Sequence, residues 1–206
     1  LAIVLSLALL AAVVWFAGVN FTGRGAQLQS TSINQPVEGA TAASYDISMA
    51  AGLFELSGGA PTGQLLSGEV RSANQGGVRE NRLTQNGRAL YTLKDENVTI
   101  YVGNNSDRHW TFQLNDSLPA DLNFSMGAGE ARLDLSGLKL ERVDATVAVG
   151  ELNVDLPQTN GYEADLTTVI GQTVIRIPSD AAVEIQVDGI FPVNVSGQGL
   201  TLNGRT

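Results

Sequence analysis

Side chains able to do chemistry are scarce in this chain. His109 is the only histidine, cysteine is absent, and charge is carried by 21 acidic and 12 basic residues. Zinc and iron–sulfur centres draw on thiolates or several imidazoles, and a serine nucleophile needs a base beside it. One histidine without cysteine supplies neither. Serines are common, yet no G-x-S-x-G elbow occurs. The run Gly127-Ala128-Gly129-Glu130-Ala131 lies between two strand-like stretches rather than ahead of a helix, which argues against a phosphate-binding loop. The expectation is a chain with no catalytic, cofactor-binding or metal-ligating residues, and not an enzyme. His109, next to Trp110, is expected as a solvated or capping residue where a strand begins. The net charge of −9 and pI near 4.5 repel phosphate backbones and anionic lipid alike, so no nucleic-acid partner is expected.

The acids themselves follow a pattern. Three segments align without gaps, 122–135 (LNFSMGAGEARLDL), 143–156 (VDATVAVGELNVDL) and 164–177 (ADLTTVIGQTVIRI), and their glycines Gly129, Gly150 and Gly171 stand 21 residues apart. A looser fourth copy starts at Ile185. Each copy is two alternating runs around a glycine turn, the period-two signature of strands. Leu122, Phe124 and Met126 stand above Val143, Ala145 and Val147, then Ala164, Leu166 and Thr168. After the glycine, Ala131, Leu133 and Leu135 stand above Leu152, Val154 and Leu156, then Thr173, Ile175 and Ile177. A constant period near twenty implies stacked rungs of a β-solenoid, each burying its apolar face on the next. One buried Leu or Ile contributes about 1.5–3 kcal/mol, and ordering a residue costs about 1–2 kcal/mol, so single rungs cannot stand alone. Pro157 and Pro178 close successive rungs.

An earlier copy at 45–56 places Ser48, Met49 and Gly52 in line with Ser125, Met126 and Gly129, 77 residues on. Between the copies, 64–70, 88–93, 97–102 and 110–114 read as strands of longer, less regular rungs or of a second sheet, parted by turns at 74–77 and Asn86-Gly87. Glycine at 23 residues and aromatics at 6% point to thin, regular packing rather than a bulky core.

In-register stacking sets outward residues in columns: Asp121, Arg142, Glu163 and Glu184; Asn123, Asp144, Asp165 and Gln186; Asp134, Asp155 and Arg176. Arg142 is expected to settle between two acids. Asp144 facing Asp165 is repulsive, so Asp144, Asp165, Glu163 and Glu184 form a candidate acidic interaction surface, screened by water or bridged by a cation or basic partner.

Residues 1–19 carry one polar side chain, Ser6, and no charge. At 1.5 Å per residue a helix of this length spans about 28 Å, near the hydrocarbon thickness, with Trp15 and Phe16 at one end. This reads foremost as a single-pass transmembrane helix; a signal peptide and a buried helix are the other readings. Polar residues 20–36 are expected as a flexible tether and 37–206 as the β-domain. With so few basic residues the domain belongs on the extracytoplasmic side. The expected partners are membrane lipid, through the N-terminal helix, and a protein in or at the membrane.

The run Trp110-Thr111-Phe112-Gln113-Leu114, then 118–140 with its GAGEA and LDLSGL, then GELNVDLP and VIRIP, resembles the toast-rack domain of bacterial proteins linked to the cell-wall-antibiotic response. That resemblance implies a right-handed β-roll and a cell-envelope protein with a sensing, scaffolding or adhesive role, and it carries no catalytic residues to transfer. Two functional classes follow: a non-enzymatic scaffold, adhesin or accessory subunit of a membrane complex, and an envelope-stress sensor restraining a signalling partner. A polysaccharide-acting enzyme, resting on the aspartate columns, is the remote third.

Overall fold

Alternating apolar and polar side chains give a sheet one dry face, and glycine decides where a long strand can bend. A computed structural model describes residues 28–73, 77–96, 108–158 and 161–181. They hold the strands β1 (Leu28–Pro36), β2 (Ala42–Gly58), β3 (Gln64–Ala73), β4 (Val78–Gln85), β5 (Arg88–Asp95), β6 (His109–Leu114), β7 (Pro119–Asp134), β8 (Lys139–Asp155) and β9 (Glu163–Arg176). One sheet contains them all, in the order β1-β3-β6-β2-β7-β8-β9, with β5 also against β2 and β4 against β5.

β2, β7, β8 and β9 are 14 to 17 residues long and pair in parallel. The register is the one the 21-residue period demands, with Leu122 opposite Val143 and Val143 opposite Ala164. The 77-residue offset holds too: Ser48, Met49 and Gly52 lie opposite Ser125, Met126 and Gly129. One expectation changes. Each copy is a single strand, not two strands around a turn, because the ladder continues through the glycine and the strand only bends there. Gly52, Gly129, Gly150 and Gly171 have φ of 133°, 129°, 136° and 141°, a region closed to most L side chains. A Cβ on Gly150 would also overlap the carbonyl oxygen of Gly129, and one on Gly171 that of Gly150.

The other edge of β2 is covered in two pieces, β5 along Ala42–Ser48 and β6 along Leu53–Gly58. Among the described residues this split rung has no glycine bend. At the gap the Arg108 carbonyl accepts the Leu53 N–H at 2.9 Å, and the Asp95 carboxylate accepts the Ala50 N–H at 3.0 Å. Arg108 Nη2 lies 2.7 and 2.6 Å from the two Asp95 oxygens. Both side chains are buried, 6% and 4% exposed. Desolvation pushes the Asp95 carboxyl above its ordinary value, only partly countered by Arg108 and the Ala50 N–H.

The core is graded along the stack. Before the bend, Tyr91, Tyr45, Leu122 and Val143 share one column, and Leu93, Ile47, Phe124 and Ala145 the next. After it, Trp110, Phe54, Ala131 and Leu152 are aligned, then Phe112, Leu56, Leu133 and Val154. All sixteen are buried. The expected thin packing is thus corrected at one end, where six aromatics gather under β2, β5, β6 and β7. Phe54 stacks on Phe124 with centroids 4.4 Å apart, and Trp110 meets Phe112 edge-on at 6.3 Å. The Tyr45 hydroxyl donates to the Leu65 carbonyl at 2.8 Å, so its polar end is satisfied.

Other expectations shift as well. Residues 28–36, expected as part of the tether, are instead β1, paired antiparallel with β3 from Leu28↔Ala73 onward. β4 follows the same logic. In β1 Ile33 is buried while its neighbours are mostly exposed, and in β4 only Val78 and Arg82 are half-buried, so neither shows a sustained alternation; each lies at an edge of the described sheet. Asn86 and Gly87 form the expected two-residue turn, with φ of 51° and 78°. The column Leu133–Val154–Ile175 does not stay dry: Leu133 and Val154 are buried, but Ile175 is 39% exposed, and Ala164 is exposed too. β9 is the last described strand and is covered on one edge by β8. Its inward Thr168 and Thr173, bonded to each other at 2.7 Å, replace the Val147 and Leu152 of β8. The membrane span at 1–19, the strand at 97–102 and the fourth copy from Ile185 lie outside the described residues.

Candidate functional site

The alternation that buries one face turns the other outward as ladders of polar side chains, and the bend divides them into two faces. Before the bend, Ser48, Ser125, Thr146 and Thr167 make a hydroxyl ladder, with Ser48 and Ser125 hydrogen-bonded at 2.8 Å. Beside it run the expected columns Asn123–Asp144–Asp165 and Asp121–Arg142–Glu163, and Asp46 extends the first of these.

Arg142 is not shared between Asp121 and Glu163 as expected. It reaches Glu163 at 3.1 Å and, diagonally, Asp165 at 3.7 Å. Asp121 is held instead by Arg88 at 2.9 Å, whose other nitrogen meets Glu141 at 2.6 Å. The Glu141 bond raises the Arg88 pKa further. Arg142 therefore supplies the positive charge that a bridging cation would bring to the aspartate column. Asp144, opposite Asp165, is in no ion pair among the described residues. Glu184 and Gln186 lie outside them. Among the described residues no three His, Asp or Glu side chains are placed to hold a metal ion together.

After the bend a shallow groove crosses β6, β2, β7, β8 and β9, with Glu55, Arg132, Asn153, Asp155 and Arg176 on its floor. His109 opens β6 as expected, but it is tied down rather than solvated: Nε2 is 2.6 Å from Glu55 Oε2 and 3.1 Å from the Thr111 hydroxyl. Arg132 donates to Glu55 at 2.9 Å and to Glu130 at 2.7 Å. Arg176 donates to Asp155 at 3.2 Å. Partial burial pushes Glu55 up, yet the bonds from His109 and Arg132 outweigh it and hold the carboxyl below its ordinary range. Sequence reasoning missed this network. Its signal was the 77-residue offset, which pairs Glu55 with Arg132 as it pairs the glycines.

Each guanidinium here is bonded to a carboxylate, so these faces offer a fixed pattern of donors and acceptors to a polar partner. Glycine-bent parallel rungs, a tapering core and outward polar ladders define a β-roll of the toast-rack kind. The chain belongs to the family described as the N-terminal domain of toast_rack, DUF2154, which matches residues 24–176 and so takes in β1. A candidate cell adhesion protein from Clostridium sporogenes ATCC 15579 shares the fold, with TM-score 0.63 and 15% identity over 74% of this chain and 100% of that one. A candidate adhesin from Bacteroides fragilis NCTC 9343 aligns with TM-score 0.26 and 8% identity over 74% and 97% of the two chains. No curated protein matches the chain.

Proposed function

We propose that this chain is a non-enzymatic interaction protein, anchored in a membrane by residues 1–19, that displays its acidic β-roll on the extracytoplasmic side to a protein partner as scaffold, adhesin or accessory subunit. The observation that carries the reading is the locked state of the outward charges. Arg88, Arg132, Arg142 and Arg176 are each engaged by carboxylates on a stiff parallel ladder, which suits recognition of a complementary surface more than proton transfer. The uncharged run at 1–19 supports the anchor, and the shortage of Lys and Arg in the rest of the chain supports the outer side. The adhesion role ascribed to the Clostridium protein of the same fold agrees with a binding task.

Extraction of the full chain from its native membrane in a mild detergent tests this. Co-purification of a stoichiometric membrane protein, lost on the double change Arg132→Glu and Arg176→Glu with the melting temperature kept, is the expected result. A chain that emerges alone at every detergent tried would refute the partner.

A further inference from the structure

The bends of β7, β8 and β9 form a ridge that holds three of the five exposed large hydrophobic side chains among the described residues. The residues there are Gly127-Ala128-Gly129, Ala148-Val149-Gly150 and Val169-Ile170-Gly171, and Ala51, Ala128, Val149 and Ile170 fall in one column. Side-chain size and exposure grow along it. Ala51 is buried, whereas Val149, Val169 and Ile170 are 42%, 37% and 50% exposed. An uncharged ridge with three exposed β-branched side chains stands out on a chain of net charge −9 and marks a contact surface.

The path of the chain names the occupant. Ser30 lies opposite Arg71, Arg71 opposite His109, and His109 opposite Leu53. β1 is antiparallel to β3 and β3 to β6, so β1 runs parallel to β6 and Leu28 lies two residues back from Ser30, level with the bend. Nine peptide steps separate Leu28 from Val19, the last residue of the apolar run, and they span at most about 30 Å. Leu28, nine steps from the apolar run, thus lies at the same level along the strands as the ridge.

We propose that this ridge rests on the lipid surface: the roll lies with its bends toward the bilayer and its stacking axis along it, Val149, Val169 and Ile170 entering the interface. The proposal rests on the membrane-anchored reading above. Apolar contact carries it, because the flanking Glu130 and Glu151 give no attraction to anionic headgroups. Both polar faces then slope away from the membrane, free for a partner.

The chain has no cysteine, so single cysteines report cleanly. The full chain is reconstituted in phosphatidylcholine vesicles with an environment-sensitive fluorophore on Val149→Cys, on Ile170→Cys, or on Ser136→Cys in the exposed turn after β7. Flotation with the vesicles tests the anchor by itself. The expected result is flotation of all three, a blue shift and loss of aqueous quenching at 149 and 170, and full quenching at 136. Flotation with 149 and 170 quenched as readily as 136 would overturn the lipid-facing ridge and leave the anchor standing. Failure to float would overturn both.

Discussion

Replacing Gly150 by alanine tests the bend seam, on which the stacking of every rung depends. The residue has φ of 136°, and holding an L side chain in such a region costs about 1–3 kcal/mol. The added methyl group would also overlap the Gly129 carbonyl oxygen. Relief requires β8 to move off β7 at the bend, breaking or stretching the hydrogen bonds on either side. Two such bonds at about 0.5–1.5 kcal/mol each bring the expected loss to about 2–6 kcal/mol. For a domain of this size, 1 kcal/mol moves the melting temperature by about 2–4 °C, so a fall of about 8–16 °C is the central expectation. Gly150→Val should fall further, since the seam must then clear a branched side chain. Gly137→Ala is the control: it sits in the turn after β7 with nothing within 4 Å of the added Cβ, and its effect should stay within about 0.5 kcal/mol. Thermal melting of the full chain followed by its β-sheet circular dichroism reads all three. If Gly150→Ala melted with the wild type, or no differently from Gly137→Ala, the seam would have room for a side chain and the bend would not be what fixes the register.

Two further outcomes follow from the buried and half-buried ions. Arg108→Met should cost about 3–5 kcal/mol in urea unfolding, because it strands the buried Asp95 carboxylate, and adding Asp95→Leu should recover much of the loss; equal stability of the single variant and the wild type would show that the pair closes nothing. Glu55 gives a pH test. Its folded pKa lies below the ordinary 4.5, so the unfolded chain binds the proton more tightly, and the stability from Glu55 is present above that value and fades as pH falls through the folded one. The urea midpoint of the wild type should therefore drop more steeply than that of Glu55→Gln between about pH 5 and pH 3, and parallel curves would refute it.

What was legible in the sequence is what repetition enforces. Gly129, Gly150 and Gly171 recur because the carbonyl of the glycine on the preceding rung crowds each one, and the apolar columns between them recur because each rung covers the next. The fixed spacing therefore gave register, inward faces and the aspartate columns at once. Where one strand is not covered on both sides, the signal fades. β1 buries Ile33 but little else, and β4 only half-buries Val78 and Arg82, so no sustained alternation marks them, and β1 passed for a tether. Side-chain reach is equally silent in the sequence. Columns placed Arg142 beside Asp121, but a guanidinium chooses among all carboxylates within a few ångströms, and Arg88, from a strand 33 residues away, takes Asp121 instead.

The split rung shows what regularity hides. Strand β2 needs a neighbour along its whole length, and on one side β7 provides it with a matching glycine. On the other side the partners are β5 up to Lys94 and β6 from His109, among the described residues no glycine stands opposite Gly52, and the Ala50 and Leu53 N–H groups need acceptors from the residues at the gap. Buried N–H groups demand acceptors. Asp95 supplies one from its side chain and Arg108 the other from its backbone, while the guanidinium neutralises the carboxylate so introduced. The acid at the end of β5 and the base just before β6 thus close the gap between the two strands. The aromatic cluster of Trp110, Phe54 and Phe112 fills the widened end of the roll just beyond that pair, and the taper toward β9 follows from its absence there.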